Sequence, residues 1–159
     1  MISMFGTLIG CGLMLYFSLP RHSGFMMGFF LLFLIPWSFY SCFMIYKKKE
    51  KRKLRVAKLA IWGLGIIAIN ATHNHYSVTT RNIASKTIDS ITQYKKKHNK
   101  YPENLELMGI SSTEYEDKYS IRYFFTKDNK PEFHYTASFS MMNYYHYDFE
   151  EGNWKYFED

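Results

Sequence analysis

The chain has 159 residues, of which 47% are hydrophobic and 19% aromatic, and its formal net charge is +6. A mean hydropathy of −0.27 and a pI near 9.2 describe, on average, a soluble basic protein of the kind that binds nucleic acid. The charge distribution excludes that class. Residues 47–58 carry eight Lys or Arg and one acid, whereas residues 100–159 carry six basic and twelve acidic side chains.

Residues 1–20 contain no charged side chain and are about long enough to cross a hydrocarbon core of roughly 30 Å. They lack the basic start and small-residue cleavage site of a secretory signal, and Leu8-Ile9-Gly10-Cys11 makes a poor lipidation site. A retained membrane helix is expected. Pro20 to Gly24 reads as a tight turn, and residues 24–46 as a second span, kinked at Pro36 and bearing Trp37 and Tyr40. Gly6/Gly10 and Gly24/Gly28 are small-residue pairs that permit close helix contact.

The run 47–58, KKKEKRKLRVAK, cannot lie in lipid, since a centrally placed charge costs about 2.5–3.5 kcal/mol. It reads as a short cytoplasmic loop, which directs the chain by the positive-inside rule. A third span is expected over residues 57–76, with Lys58 snorkelling at the inner side and His73 and His75 near the outer interface. Gly63 and Gly65 offer it a packing surface, and its apolar side chains surround the helix on all sides. Cys11 and Cys42 both fall in spans, at unequal distances from the turn, and read as small packing residues.

No Pro or Gly interrupts residues 76–100, and Ala84, Ile88, Ile91 and Tyr94 recur on one helical face. One helix from Leu59 to about Asn99 is expected, ended by Pro102, followed by a short turn or helix at Asn104, Leu105 and Leu107. The period then changes to two. Tyr119, Ile121, Tyr123 and Phe125 form one alternating run, Phe133, Tyr135, Ala137 and Phe139 a second, and Tyr145, Tyr147 and Phe149 a third. Polar turns at residues 128–131 and 150–153 separate them, and residues 154–157 close the chain. The fold class is thus a membrane protein with three transmembrane α-helices (residues 1–76) and a C-terminal α+β domain (residues 77–159). That domain packs a long amphipathic helix on an antiparallel β-meander.

Ile88, Ile91 and Tyr94, then Tyr101-Pro102-Glu103-Asn104-Leu105, and more loosely Gly152-Asn153-Trp154, give residues 59–159 a pattern that resembles the type IV pilin and type II secretion pseudopilin family. Pilins carry a cleaved leader and a Glu a few positions into the mature span. Gly24-Phe25 lacks that Glu, and two extra spans come first. The resemblance implies a fold and an arrangement, not a filament subunit.

No catalytic motif emerges. His73-Asn74-His75 places two imidazoles on different sides of a helix without further ligands, and Ser111 and Ser112 have no glycine elbow. Glu114, Glu116 and Asp117 read as a solvated loop, and His134 and His146 as residues of an outer sheet face. No cofactor or metal is expected. The aromatic content of the C-terminal domain stands out, because Tyr and Trp combine large contact area with a polar tip. The expected partner-binding residues are Tyr144, Tyr145, Tyr147, Trp154 and Tyr156 with the acids Asp148, Glu150 and Glu151. Acids beside rings would attract a protein with a basic face.

The functional expectation is a non-enzymatic protein of a bacterial inner membrane, multi-pass, with a cytoplasmic N-terminus and a periplasmic C-terminal domain. It would touch membrane lipid and a protein partner but not nucleic acid, as an envelope or secretion accessory. The alternative is a membrane-anchored immunity protein that neutralises a toxin acting in the envelope.

Overall fold

An apolar helix, α1 (Ile2–Ser18), opens the computed structural model, which describes residues 2–47 and 49–158, with side chains from residue 4 onward. Lys48 of the basic run lies outside the described residues, as do Met1 and Asp159 at the ends of the expected first span and last domain. The turn after α1 forms where Pro and Gly predict it. Ser23 donates to the Pro20 carbonyl from both its N–H (3.2 Å) and its hydroxyl (2.6 Å), while His22 adopts φ 67°.

The second helix, α2 (Met26–Lys47), carries Pro36 within it, and a 3-10 turn at Lys49–Lys51 leads into α3 (Arg52–His98). Two stretches are long and apolar enough to cross a membrane, α2 and the one that includes α3; α1 is apolar but shorter. Phe33 and Phe39 of α2 are 80% and 74% exposed. Large apolar side chains turned outward in this way are what a membrane-crossing helix presents.

The basic run departs from the expected loop. Among its described residues, Lys47 ends α2, Lys49–Lys51 form the 3-10 turn, and residues 52–58 already belong to α3. Lys and Arg are good helix formers, and nothing in RKLRVAK breaks a helix. Arg55 reaches back over the Tyr40 ring, 5.5 Å from its centroid.

The chain divides into two compact units, Met1–Asn74 and His75–Asp159. In the first, α1 packs closely on α3. A Cβ at Gly65 would meet Cys11 Sγ at 2.8 Å and Met14 Cε at 2.9 Å, and one at Gly10 would meet the Trp62 ring at 3.0 Å. Gly6, Gly28 and Gly63 have open space there, so the spacing of the glycine pairs does not mark the contact. Cys11 is buried and its thiol faces the Ile61 carbonyl at 3.6 Å, while Cys42 is exposed and both thiols are free. His73, expected at an interface, is only 3% exposed, and its Nε2 lies 2.7 Å from the Ser18 carbonyl. It satisfies a carbonyl at the C-terminal end of α1, where a helix leaves such groups without partners.

The second unit is a four-stranded antiparallel meander in the order β1-β2-β3-β4, formed by Ile121–Phe125, Pro131–Thr136, Asn143–Asp148 and Asn153–Glu158. Its core gathers Ala84, Ile88 and Ile91 of α3 with Leu105, Ile121, Phe133 and Tyr135. Tyr94, expected in the same stripe, is half-buried and stacks on His98 at 4.3 Å. Asn99, at φ 55°, takes the left-handed conformation directly after α3, three residues before Pro102. A 3-10 turn at Leu105–Met108 follows, capped by the Asn104 side chain and by Gly109 at φ 74°. Leu105 is buried whereas Leu107 is 55% exposed.

The expected loop around Glu114 is a helix, α4 (Ser112–Tyr119). Ser111 caps it by accepting from the Glu114 N–H at 3.2 Å, and Ser-x-x-Glu is the spacing of a helix start. Tyr119 therefore ends a helix instead of starting a strand, and Ser120, at φ 53°, turns the chain into β1. Phe139 and Phe149 likewise lie beyond the ends of β2 and β3.

Candidate functional site

Strand alternation assigns every ring of the sheet to one of two faces. Phe133 pairs with Tyr147, Tyr135 with Tyr145, Tyr145 with Tyr156 and Tyr147 with Trp154, so these share the face that covers the core. Arg122 pairs with His134, His134 with His146, Tyr144 with Phe157 and His146 with Lys155 on the opposite, outer face.

The eight expected partner-binding residues are thereby parted. Tyr145, Tyr147 and Trp154 pack against the core, and Tyr156 stands at its edge, 46% exposed. Tyr144 and Asp148 belong to the outer face, and Glu150 and Glu151 to the turn that follows β3. Adjacent residues of a strand must point oppositely, so Tyr144 and Tyr145 cannot serve one surface.

The outer face carries a row of rings that crosses all four strands. Phe124 of β1 meets His134 of β2 at 5.6 Å, His134 meets Tyr144 of β3 at 6.0 Å, and Tyr144 stacks on Phe157 of β4 at 5.2 Å and 11°. Phe124 and Phe157 are 44% and 40% exposed. Partial burial, with Arg122 and His146 nearby, holds the His134 imidazole below its ordinary range and favours the neutral ring. The loop from β2 to β3 adds exposed Phe139, Met141 and Met142. Phe124, His134 and Phe157 escape a reading that follows local aromatic density alone. Their signal is the period-two position opposite Phe133 and Tyr156.

The acids expected to draw a basic partner are already engaged. Lys155 bridges Asp148 at 2.7 Å and Glu151 at 3.0 Å, and Lys130 holds Glu150 at 2.8 Å. On the same face His146 meets Glu132 at 3.0 Å, and Arg122 meets Glu116 at 2.6 Å. The Lys155 bond and the N–H groups of Glu151 and Glu150 hold the Asp148 carboxyl down at about 2. The unit His75–Asp159 as a whole contains eleven basic and thirteen acidic residues, because its helix contributes Arg81, Lys86 and the lysines near its end. The outer face is therefore aromatic and close to charge-balanced.

Two concavities flank this unit's sheet. One, of about 590 Å³, is lined by Lys95, Tyr101, Lys130, Glu132, His146 and Asp148 among others, and its acids are engaged, Glu150 and Asp148 by lysines and Glu132 by the His146 ring. The other, of about 240 Å³, lies on the core face against α3 and includes Tyr145, Trp154 and Tyr156. Among the described residues no group of three or more His, Cys, Asp or Glu gathers where a metal ion could be held. His73 bonds within the first unit, and His75 is exposed on its ring contact with Tyr76. No known protein family matches the chain, and no curated protein or solved structure matches it either.

Proposed function

We propose that this chain is a multi-pass membrane protein without catalytic activity whose C-terminal domain binds a protein partner. In this reading α1, α2 and the apolar part of α3 all cross a bacterial inner membrane, the basic residues around the 3-10 turn stay cytoplasmic, and residues 77–159 lie outside. Two helices of sufficient length and apolar character support the membrane location, and the charge of residues 47–58 supports the orientation. A long helix followed by a four-stranded antiparallel sheet is an outline shared with pilin-like envelope proteins, which supports an accessory role there.

The observation that carries the binding role is the ring row Phe124–His134–Tyr144–Phe157 on the outer sheet face. Nothing in the described residues requires rings on that face for the core, which Phe133, Tyr135 and their neighbours already fill. Because the charges around the row are paired within the domain, the partner that fits is a protein surface with an apolar centre and uncharged polar edges. Burying rings of this size gives an interface its few dominant contacts.

The test is site-specific photo-crosslinking of the full chain in the membranes of its own cells. A photoreactive residue at Phe124 or Phe157 should give a discrete protein adduct that Tyr144→Ala weakens, while the same residue at Lys127 or Asp117 gives none. Equal labelling from all four positions refutes the reading.

A further inference from the structure

The recess of about 240 Å³ on the core face is lined by Ser77 and Arg81 of α3, Tyr135 of β2, Tyr145 of β3, and Trp154 and Tyr156 of β4. Three of these were singled out by aromatic density, but their surroundings give them a different use. Tyr145 lies 4.9 Å from both Tyr135 and Tyr156, and Trp154 lies 5.2 Å from Tyr135, so the walls are rings held by one another. Every polar side chain of the lining can donate a hydrogen bond, and Arg81 and Trp154 can only donate. Arg81, the hydroxyls of Ser77, Tyr135 and Tyr145, and the Trp154 indole N–H have no hydrogen-bond or ion-pair partner among the described residues. Only the Tyr156 oxygen is occupied, accepting from Asn143 at 2.6 Å. No acid lines the recess.

Tyr135 is 4% exposed, and its hydroxyl is not among the sealed, partnerless polar atoms of the core, so its access is through the recess. The hydroxyl is thus open to an occupant of the recess, beside a guanidinium with no carboxylate. Five donor groups around one recess, two of them on the exposed residues Ser77 and Arg81, suit a ligand rich in acceptor oxygens and negatively charged. A carboxylate offers two oxygens, whereas a phosphate offers three or more and takes a planar guanidinium in two-point contact.

The geometry points to a binding site for a phosphate-bearing polar group, held by Arg81, Tyr135, Tyr145 and the Trp154 N–H, with the ligand's carbon skeleton against the rings. The volume lies below the roughly 300–1,000 Å³ of sites for drug-sized ligands, so the group is the size of a glycerol phosphate. Such a group is found on soluble metabolites and on lipid headgroups. Ser77 and Arg81 follow the apolar stretch 59–71 by six and ten residues in the chain, which brings the lipid source into play if α3 crosses the membrane. The site is independent of the outer face, and its ligand is bound whether or not a protein docks there.

The test uses the full-length protein with nitrogen-15 in its tryptophans and reads the Trp154 indole N–H resonance. In neutral detergent, glycerol 3-phosphate should shift that resonance saturably. In a second arm the protein is placed in bilayers of phosphatidylcholine alone or with phosphatidylglycerol. A shift in detergent with none from phosphatidylglycerol assigns the site to soluble phosphates, and a shift with phosphatidylglycerol assigns it to the lipid headgroup. In either case Arg81→Gln, an exposed position, should weaken binding about tenfold or more. Tyr145→Phe, which removes one oxygen and keeps the ring, should weaken it by less, and Lys127→Gln should leave it unchanged. No saturable shift in either arm, or equal affinity in the parent and Arg81→Gln, overturns the proposal.

Discussion

Replacing Ile91 with Ala tests how α3 meets the sheet. Ile91 is fully buried among Ile88, Leu105, Ile121 and Phe133. The change removes three carbons, worth about 2.4 kcal/mol at about 0.8 kcal/mol each. Incomplete collapse around the gap brings the expected loss to about 3–4 kcal/mol, within the usual range of about 2–5 for such truncations. A unit of this length has roughly 4–13 kcal/mol of stability at about 0.05–0.15 kcal/mol per residue, so the variant keeps a native sheet but opens far more often. Amide hydrogen exchange of the full chain, read over β1 and β2, measures that opening directly. A loss of about 3 kcal/mol corresponds to exchange faster by roughly a hundredfold. Tyr94→Ala, which removes a ring stacked on His98 outside the core cluster, should change the same amides by less than about fivefold. If the two substitutions act equally, or if Ile91→Ala leaves exchange unaltered, the packing of this face is wrong.

Acid should loosen the β3–β4 hairpin in a defined window. The Asp148 carboxyl is depressed to about 2 by Lys155 and two backbone N–H groups, so its contribution is fully present above the unfolded value of about 3.9 and is lost as pH falls through about 2. Protection of the hairpin amides, relative to intrinsic exchange, should fall as pH drops between those values, and Asp148→Asn should remove most of that loss. Gly65→Val should destabilise the detergent-solubilised protein by about 1–3 kcal/mol through collision with Cys11 and Met14, whereas Gly63→Ala should leave its melting temperature unchanged or slightly higher. A reporter joined after Asp159 should be active only outside the cytoplasm, and cytoplasmic activity would reverse the proposed topology.

Much of the architecture is legible in the chain because it depends on local order. Unbroken apolar runs, the absence of Pro and Gly from residue 76 to residue 100, and period-two alternation specify long helices and a meander before any contact is considered. The departures share a physical origin. The basic run extends α3 because charge forbids lipid but not helix, and a rule about bilayers says nothing of backbone conformation. Ser111 and Glu114 together start α4, a signal present in the sequence but masked by the polarity of its neighbours.

The candidate site was legible only in part. Aromatic density draws attention to β3 and β4, but density has no direction. Alternation by itself separates Tyr144 from Tyr145, and sequence reading can place them on opposite faces. Which face covers the core follows from where α3 packs, which sends Tyr147 and Trp154 inward and leaves Phe124, His134, Tyr144 and Phe157 in a row outside. Charge was subject to the same limit. The acids near residue 150 are visible in the chain, but their neutralisation depends on Lys130, twenty positions from Glu150, and on Lys155 across a hairpin. Sequence determines which groups exist and the period on which they repeat. Only the tertiary structure decides which of them meet, because strand pairing and the packing of α3 on the sheet join residues that the chain keeps apart, as they do Arg81 with Tyr135 and Tyr145 around one recess.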